Sequence, residues 1–164
     1  MPTRITKEVA LERIARESRA PGCLVCSLLA SKEARVLERG ERATTLLTAY
    51  PLTWGHAFVC LHEHVTTYTE LSPVALGEAT ELVHRVATRI EKALAPVRVF
   101  VASLGSARND LTMSSPHLHW HVIPVMETPT RPAEVLTWER GVLDGTAGEW
   151  DELVAMLEVK PGGS

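Results

Sequence analysis

The stretch SSPHLHWHVIPV, running from Ser114 to Val125, carries three of the chain's seven histidines at strict alternation. On a strand, alternate side chains share a face, so His117, His119 and His121 are expected along one side and Leu118, Trp120 and Val122 along the other. The apolar set suits a core. The imidazole set then lies on a surface or in a cleft. A chance cluster on a solvated strand is the bland account, but three rings in register weigh against it. A metal site is a second account, because neutral imidazole is a common ligand. Three alternate residues on a straight strand span about 13 Å, too far for one ion, so at most two would ligate together. The third account is a nucleophilic central imidazole, oriented by its neighbours.

Outward from that strand, the elements come in runs. ARVLERGERATTLLTAY reads as two strands around Arg39-Gly40-Glu41, GHAFVCLHEHV as a third and VRVFVASL as a fourth, with GSARNDLTMS a loop before the histidine strand. Between them Ser72-Pro73 is a capped helix start, and Leu76, Ala79, Leu82, Val83, Val86, Ile90 and Leu94 form an apolar stripe that stops at Pro96. Thr6 caps a short N-terminal helix bearing Leu11, Ile14 and Ala15, which ends before Pro21-Gly22. Near the other end Thr146-x-x-Glu149 fits a capping box, followed by Trp150, Leu153, Val154 and Leu157. Strands in runs around one long helix point to an α+β fold with an antiparallel sheet of about five strands. The 164 residues are expected to form a single domain, with its motif-bearing core over about residues 20–126 and a tail and helix over 127–164.

The apolar fraction of 45% with 23% charged residues is globular, and a formal charge of −3 gives no pull towards nucleic acid or an anionic membrane. The apolar run CLVCSLLA is too short to span a bilayer, and the N-terminus lacks the apolar segment of a secretory signal. Three cysteines do not make a disulfide framework. A cytoplasmic protein is expected.

HLHWHVI has the pattern His-φ-His-φ-His-φ-φ and strongly resembles the histidine triad (HIT) superfamily of nucleotide hydrolases and transferases. LTAYPLTWGHAFVCLHEHV resembles that family's Tyr-Pro, Gly-His strand and later histidine, and the long helix falls where the family has it. The resemblance implies that His119 attacks a nucleotide α-phosphate and forms a nucleotidyl-histidine intermediate. It implies that the other nitrogen of His119 donates to the His117 carbonyl. His121 and His56 would hydrogen-bond phosphate oxygens, and Ser114 would contact the phosphate and leaving group. Ser115 and Thr48 join the candidate nucleotide-binding residues. The family's Gly-Gln or Gly-Asn before the motif is replaced by Leu111 to Pro116, and Thr48 stands where a carboxylate or asparagine often holds the ribose.

Cys23-x-x-Cys26 alone fits a redox pair, two small buried residues or metal ligands. The resemblance to the family's zinc-containing branch implies a closed structural site made by Cys23, Cys26, His64 and His117, with no catalytic metal required. His62 shares strand parity with His64 and is the alternative ligand. Cys60 and the four tryptophans, Trp120 among them, read as packing or interface, and His84 as solvated.

The resemblance further implies a homodimer whose C-terminal stretch VLTWERGVLDGTAGEW completes the partner's pocket, and an AMP-type substrate such as a dinucleoside polyphosphate or a nucleoside phosphoramidate. The alternatives are a nucleotide-sensing module with little catalysis and a zinc-dependent hydrolase.

Overall fold

A computed structural model of the chain describes residues 2–17, 23–104, 115–127 and 131–159. In chain order the elements are β1 (Thr3–Ile5), α1 (Lys7–Glu17), α2 (Leu24–Ala30), β2 (Val36–Arg39), β3 (Ala43–Leu47) and β4 (Ala57–Leu61). They continue with α3 (Pro73–Leu94), β5 (Arg98–Ala102), β6 (His119–Val125), α4 (Pro132–Leu136), β7 (Val142–Asp144) and α5 (Ala147–Leu157). Five strands form an antiparallel sheet in the order β2-β3-β4-β6-β5, and β1 pairs with β7 in a separate two-stranded ribbon. The expected α+β fold with about five strands is what the chain adopts.

One face of the sheet is covered by α3 and α5. Leu118, Trp120 and Val122 point there, as their alternation predicts, and meet Ala79, Leu82, Val86 and Ile90 of α3 and Trp150, Leu153 and Leu157 of α5. Burying each of the larger aliphatic chains on the α3 stripe contributes about 1.5–3 kcal/mol. Helix α3 begins where Ser72 accepts a hydrogen bond from the Ala75 amide at 3.2 Å, and it ends at Ala95 before Pro96. The Thr146–Glu149 capping box opens α5.

The opposite face carries the imidazoles and is walled from two sides. Helix α2 packs Val25, Leu28 and Leu29 against Leu46, Phe58 and Cys60. Beyond the histidines, Ile123 and Phe100 are covered by Ala10 of α1, Val135 of α4 and Val142 of β7, with Tyr50, Leu52 and Trp138. The segments before and after the sheet therefore meet each other: the β1–β7 ribbon and the Arg13–Asp144 ion pair at 2.7 Å join them over this face.

Several expectations need correction. The histidine strand starts at His119, so His117 sits just before it. The Gly-His strand stops at Leu61 rather than running on to His64. Leu76 is exposed and lies off the buried stripe. The run around the two cysteines folds as α2, and β1, α4 and β7 carried no clear periodic signal because each is five residues or fewer. In the C-terminal stretch Val135, Val142 and Trp150 are buried within their own chain. The expected loop over residues 105–114, Ser114 with it, lies outside the described residues. Among the described residues no helix is long and apolar enough to cross a membrane.

Candidate functional site

His56, His119 and His121 come together on one sheet face because of strand register. His119 lies opposite Cys60 on β4, and His121 lies between Phe58 on β4 and Ala102 on β5. His56 immediately precedes β4, and Gly55 before it takes φ +94, a conformation in which a Cβ would collide with the Leu94 side chain. Glycine is thus required to bring the chain round α3 and deliver His56 to the site.

The rings form a continuous hydrogen-bonded chain whose direction is fixed at both ends. The Leu52 backbone amide, which can only donate, reaches His56 Nδ1 at 3.4 Å. His56 Nε2 meets His121 Nδ1 at 3.0 Å, and His121 Nε2 meets His119 Nε2 at 3.1 Å. His119 Nδ1 lies 2.6 Å from the His117 carbonyl oxygen, which can only accept. With neutral rings, one assignment satisfies every link: His56 and His121 carry their protons on Nε2, and His119 carries its proton on Nδ1. His119 Nε2 is then a free lone pair accepting from His121.

Electrostatics agree with neutral rings. Burial holds His56 well below the ordinary histidine range, reinforced by His121 and His119. Burial lowers His121 to about 3, with His119 adding to the effect. His119 is also lowered by burial, partly opposed by its bond to the His117 carbonyl. Charging a ring here means desolvating a cation beside other imidazoles.

A second group lies behind His117. One donor atom each from Cys23, Cys26, His64 and His117 falls within 4.8 Å of the others. Cys26 Sγ is 3.3 Å from His64 Nδ1 and 3.4 Å from His117 Nδ1, and Cys23 Sγ is 3.6 Å from His117 Nδ1. Sulfur and nitrogen ligands on a tetrahedral zinc, at about 2.3 Å and about 2.05 Å from the ion, stand about 3.6 Å apart. The donor set and its spacing fit that ion. His117 is prepared for it, because its Nε2 donates to the Leu61 carbonyl at 2.9 Å and leaves Nδ1 towards the thiols. His117 itself is fully buried, and burial lowers its affinity for a proton. His62 turns elsewhere, with Nε2 2.7 Å from Thr44 Oγ1, so the choice between the two histidines falls to His64. Cys60 is buried among α2 and β4 side chains as packing, and that burial pushes its thiol up to about 12.

Two candidate nucleotide-binding residues are placed less directly. Ser115 is on the cysteine side: its Oγ is 3.6 Å from Cys23 Sγ and accepts from the His117 amide at 3.4 Å. Thr48 receives the Tyr50 amide on Oγ1 at 3.3 Å, and its own amide donates to the His56 carbonyl at 3.1 Å, so it shapes the turn that carries His56. The Leu52 amide and the Leu61 carbonyl, which orient two of the rings, were not foreseen. They are backbone groups, and no side-chain pattern announces them.

The HIT domain family model matches residues 30–128. The chain belongs to the HIT domain family. This HIT chain is 27% identical over 109 residues to a HIT-like protein of Mycoplasma pneumoniae, a match spanning 65% of this chain and 73% of that one. Its fold is similar to that of a hypothetical histidine triad nucleotide-binding protein from Sulfolobus tokodaii (TM-score 0.66, 21% identity, 82% of this chain and 89% of that one). It is also similar to a zinc-bound histidine triad family protein from Mycobacterium smegmatis (TM-score 0.60, 18% identity, 83% and 93%). The cysteine and histidine residues on which the zinc-branch resemblance rests are brought together in the four-residue cluster.

Proposed function

We propose that this HIT chain is a nucleotide hydrolase or nucleotidyltransferase that works through a covalent intermediate on His119. The observation that carries this reading is the one-way imidazole chain, which leaves His119 Nε2 unprotonated and facing a hydrogen-bond donor. A bound nucleotide would take that donor: His121 Nε2–H would turn its bond from His119 to a phosphoryl oxygen, releasing the lone pair to attack the α-phosphorus. The P–N bond forms as the bond to the leaving group breaks, and the leaving group departs with that electron pair and takes a proton from water or its own surroundings. Charge building on the phosphoryl oxygens is met by the Nε2–H of His121, itself backed by His56. Developing positive charge on His119 is met by the His117 carbonyl at Nδ1. Water then attacks the same phosphorus and breaks the P–N bond, giving the nucleoside monophosphate. Dinucleoside polyphosphates and nucleoside phosphoramidates fit this chemistry.

Cys23, Cys26, His64 and His117 are proposed as ligands of one structural zinc, which would fix the peptide whose carbonyl orients His119. Four protein ligands around a tetrahedral ion leave no place for a substrate water, which argues against a zinc-dependent hydrolase. The edge strand β5, with Val101 on it and Val97 and Leu104 at its two ends out to solvent, supports a homodimer joined through that edge. The β1–β7 ribbon, which ties the segments before and after the sheet, supports a single domain, and three cysteines outside any disulfide support a cytoplasmic setting.

The test is to quench the wild-type protein during turnover of an adenosine phosphoramidate and map any added mass. A nucleotidyl group on the peptide bearing His119 is expected. A burst of product with no modified His119 contradicts the reading.

A further inference from the structure

At the end of β6 remote from His119, about 20 Å along the strand, lies a cavity of about 290 Å³. Leu52, Trp54, Val125, Val135 and Leu143 give it apolar walls, and Arg4, Glu127, Glu134 and Arg140 bring charge to it. The cavity is separate from the imidazole cleft. Ile123, between His121 and Val125 on β6, is buried with Ala10, Leu52, Val135 and Val142 and closes the way from one to the other. The outer wall comes from β1, α4 and β7, all of which lie outside the HIT domain at residues 30–128.

The two arginines differ. Arg140 is engaged by carboxylates, meeting Glu127 and Glu134 each at 2.9 Å, and Glu134 is held again by Arg131 at 2.7 Å. Arg4 instead gives Nη1 to the carbonyls of Arg140 and Gly141, at 3.0 and 3.4 Å, and no carboxylate among the described residues answers its charge. Those two bonds fix the guanidinium at the cavity and leave its Nε and Nη2 donors for another acceptor. A guanidinium of this kind takes a carboxylate by two parallel bonds. The volume is that of about ten waters in the liquid, enough for a small ring or short aliphatic chain.

The Leu52–Trp54 turn is at once a wall of this cavity and the support of His56. The Leu52 amide reaches His56 Nδ1 at 3.4 Å, the longest link of the imidazole chain, and the Thr53 hydroxyl beside it is buried with no partner among the described residues. The turn is therefore the loosely fastened end of that chain, and an occupant of the cavity packs directly against it. We infer that the cavity is a second ligand site, for a monocarboxylate with an apolar body held by Arg4, and that its occupant shifts His56 through the Leu52 amide. The site does not depend on the nucleotide reading.

The experiment titrates the full-length chain with phenylacetate and with phenylacetamide, its uncharged counterpart of the same shape. Binding is read from ¹⁵N NMR signals of the backbone amides and of the His56 ring. The variants are Arg4→Gln, at an exposed position, and Leu143→Trp, which fills the cavity from a half-buried one. In wild type phenylacetate is expected to move the Leu52, Trp54 and Gly141 amides and the His56 Nδ1 signal in one saturating transition. It should bind about 10-fold or more tighter than the amide, as one charged hydrogen bond allows. Arg4→Gln should erase that preference, and Leu143→Trp should abolish binding of both compounds. The absence of a saturable shift at these amides overturns the site, as does equal binding of acid and amide to wild type or undiminished phenylacetate affinity in Arg4→Gln. Saturation that leaves the His56 ring unmoved overturns the link to the imidazoles. Should Leu143→Trp fail to fold, Arg4→Gln decides alone.

Discussion

His117 and His119 stand two residues apart and use opposite nitrogens. His117 gives its Nε2 proton to the Leu61 carbonyl and turns Nδ1 to two thiols. His119 gives its Nδ1 proton to the His117 carbonyl and turns Nε2 towards His121. In each ring a backbone acceptor consumes one nitrogen and so decides what the other can do. One ring is thereby suited to bind an ion and the other to attack phosphorus. The lesson is that side-chain identity offers imidazole, and the nearest carbonyl assigns its work. The two regions are also linked, since the His117 peptide both carries a ligand and holds the neighbouring ring.

That division can be broken from either side. Replacing His119 with Asn should lower kcat by roughly 10³-fold or more, as loss of a reacting group does, while zinc content by metal analysis stays at wild-type level. A variant that keeps substantial turnover would separate the chemistry from His119. Removing the metal side, by Cys26→Ala or by chelation of the purified protein, should lower the thermal midpoint by roughly 10 °C or more, because the ligands bind the ion only when folded. An unchanged midpoint with unchanged metal content would show that the cluster holds no ion.

The imidazole chain makes a further difference visible in acid. His121 and His56 bind protons more weakly folded than unfolded, so their contribution to stability is complete above about pH 6.5, the ordinary histidine value, and declines as pH falls below it, that of His121 being lost towards about 3. Denaturant melts of wild type across that window should show stability declining with falling pH. His121→Gln should flatten the decline by up to about 1.4 kcal/mol per pH unit, the limit for one proton. Identical slopes would mean that the ring is not buried neutral. The smallest expected effect separates two histidines of one segment. His62→Ala should leave metal content intact and cost about 1 kcal/mol through the lost bond to Thr44, whereas His64→Ala should release the ion. The reverse pattern would exchange their roles.

Much of this was legible in the sequence, for identifiable reasons. Alternation of period two placed Leu118, Trp120 and Val122 in the core, and the Ser72-Pro73 start and Pro96 stop bounded α3. The four members of the thiol–imidazole cluster came from the family resemblance, not from spacing. Strand parity could not separate His62 from His64, because β4 ends at Leu61 and the parity rule lapses there. Helix α2 was missed since its seven residues, six apolar and Ser27, are too few to show a helical period. The β1–β7 ribbon unites segments about 140 residues apart through three-residue strands, too short to announce themselves. Ser115 looked like a phosphate contact by its place beside the motif, yet its hydroxyl neighbours Cys23. Distance along the chain did not reveal that the peptide turns before His117.

The most direct test of the central claim is the ¹⁵N NMR spectrum of the histidine rings at neutral pH, assigned by single substitutions. The account requires His119 to carry its proton on Nδ1 and His121 and His56 to carry theirs on Nε2, all three neutral. A proton on His119 Nε2, or a charged ring anywhere in the chain, would contradict it.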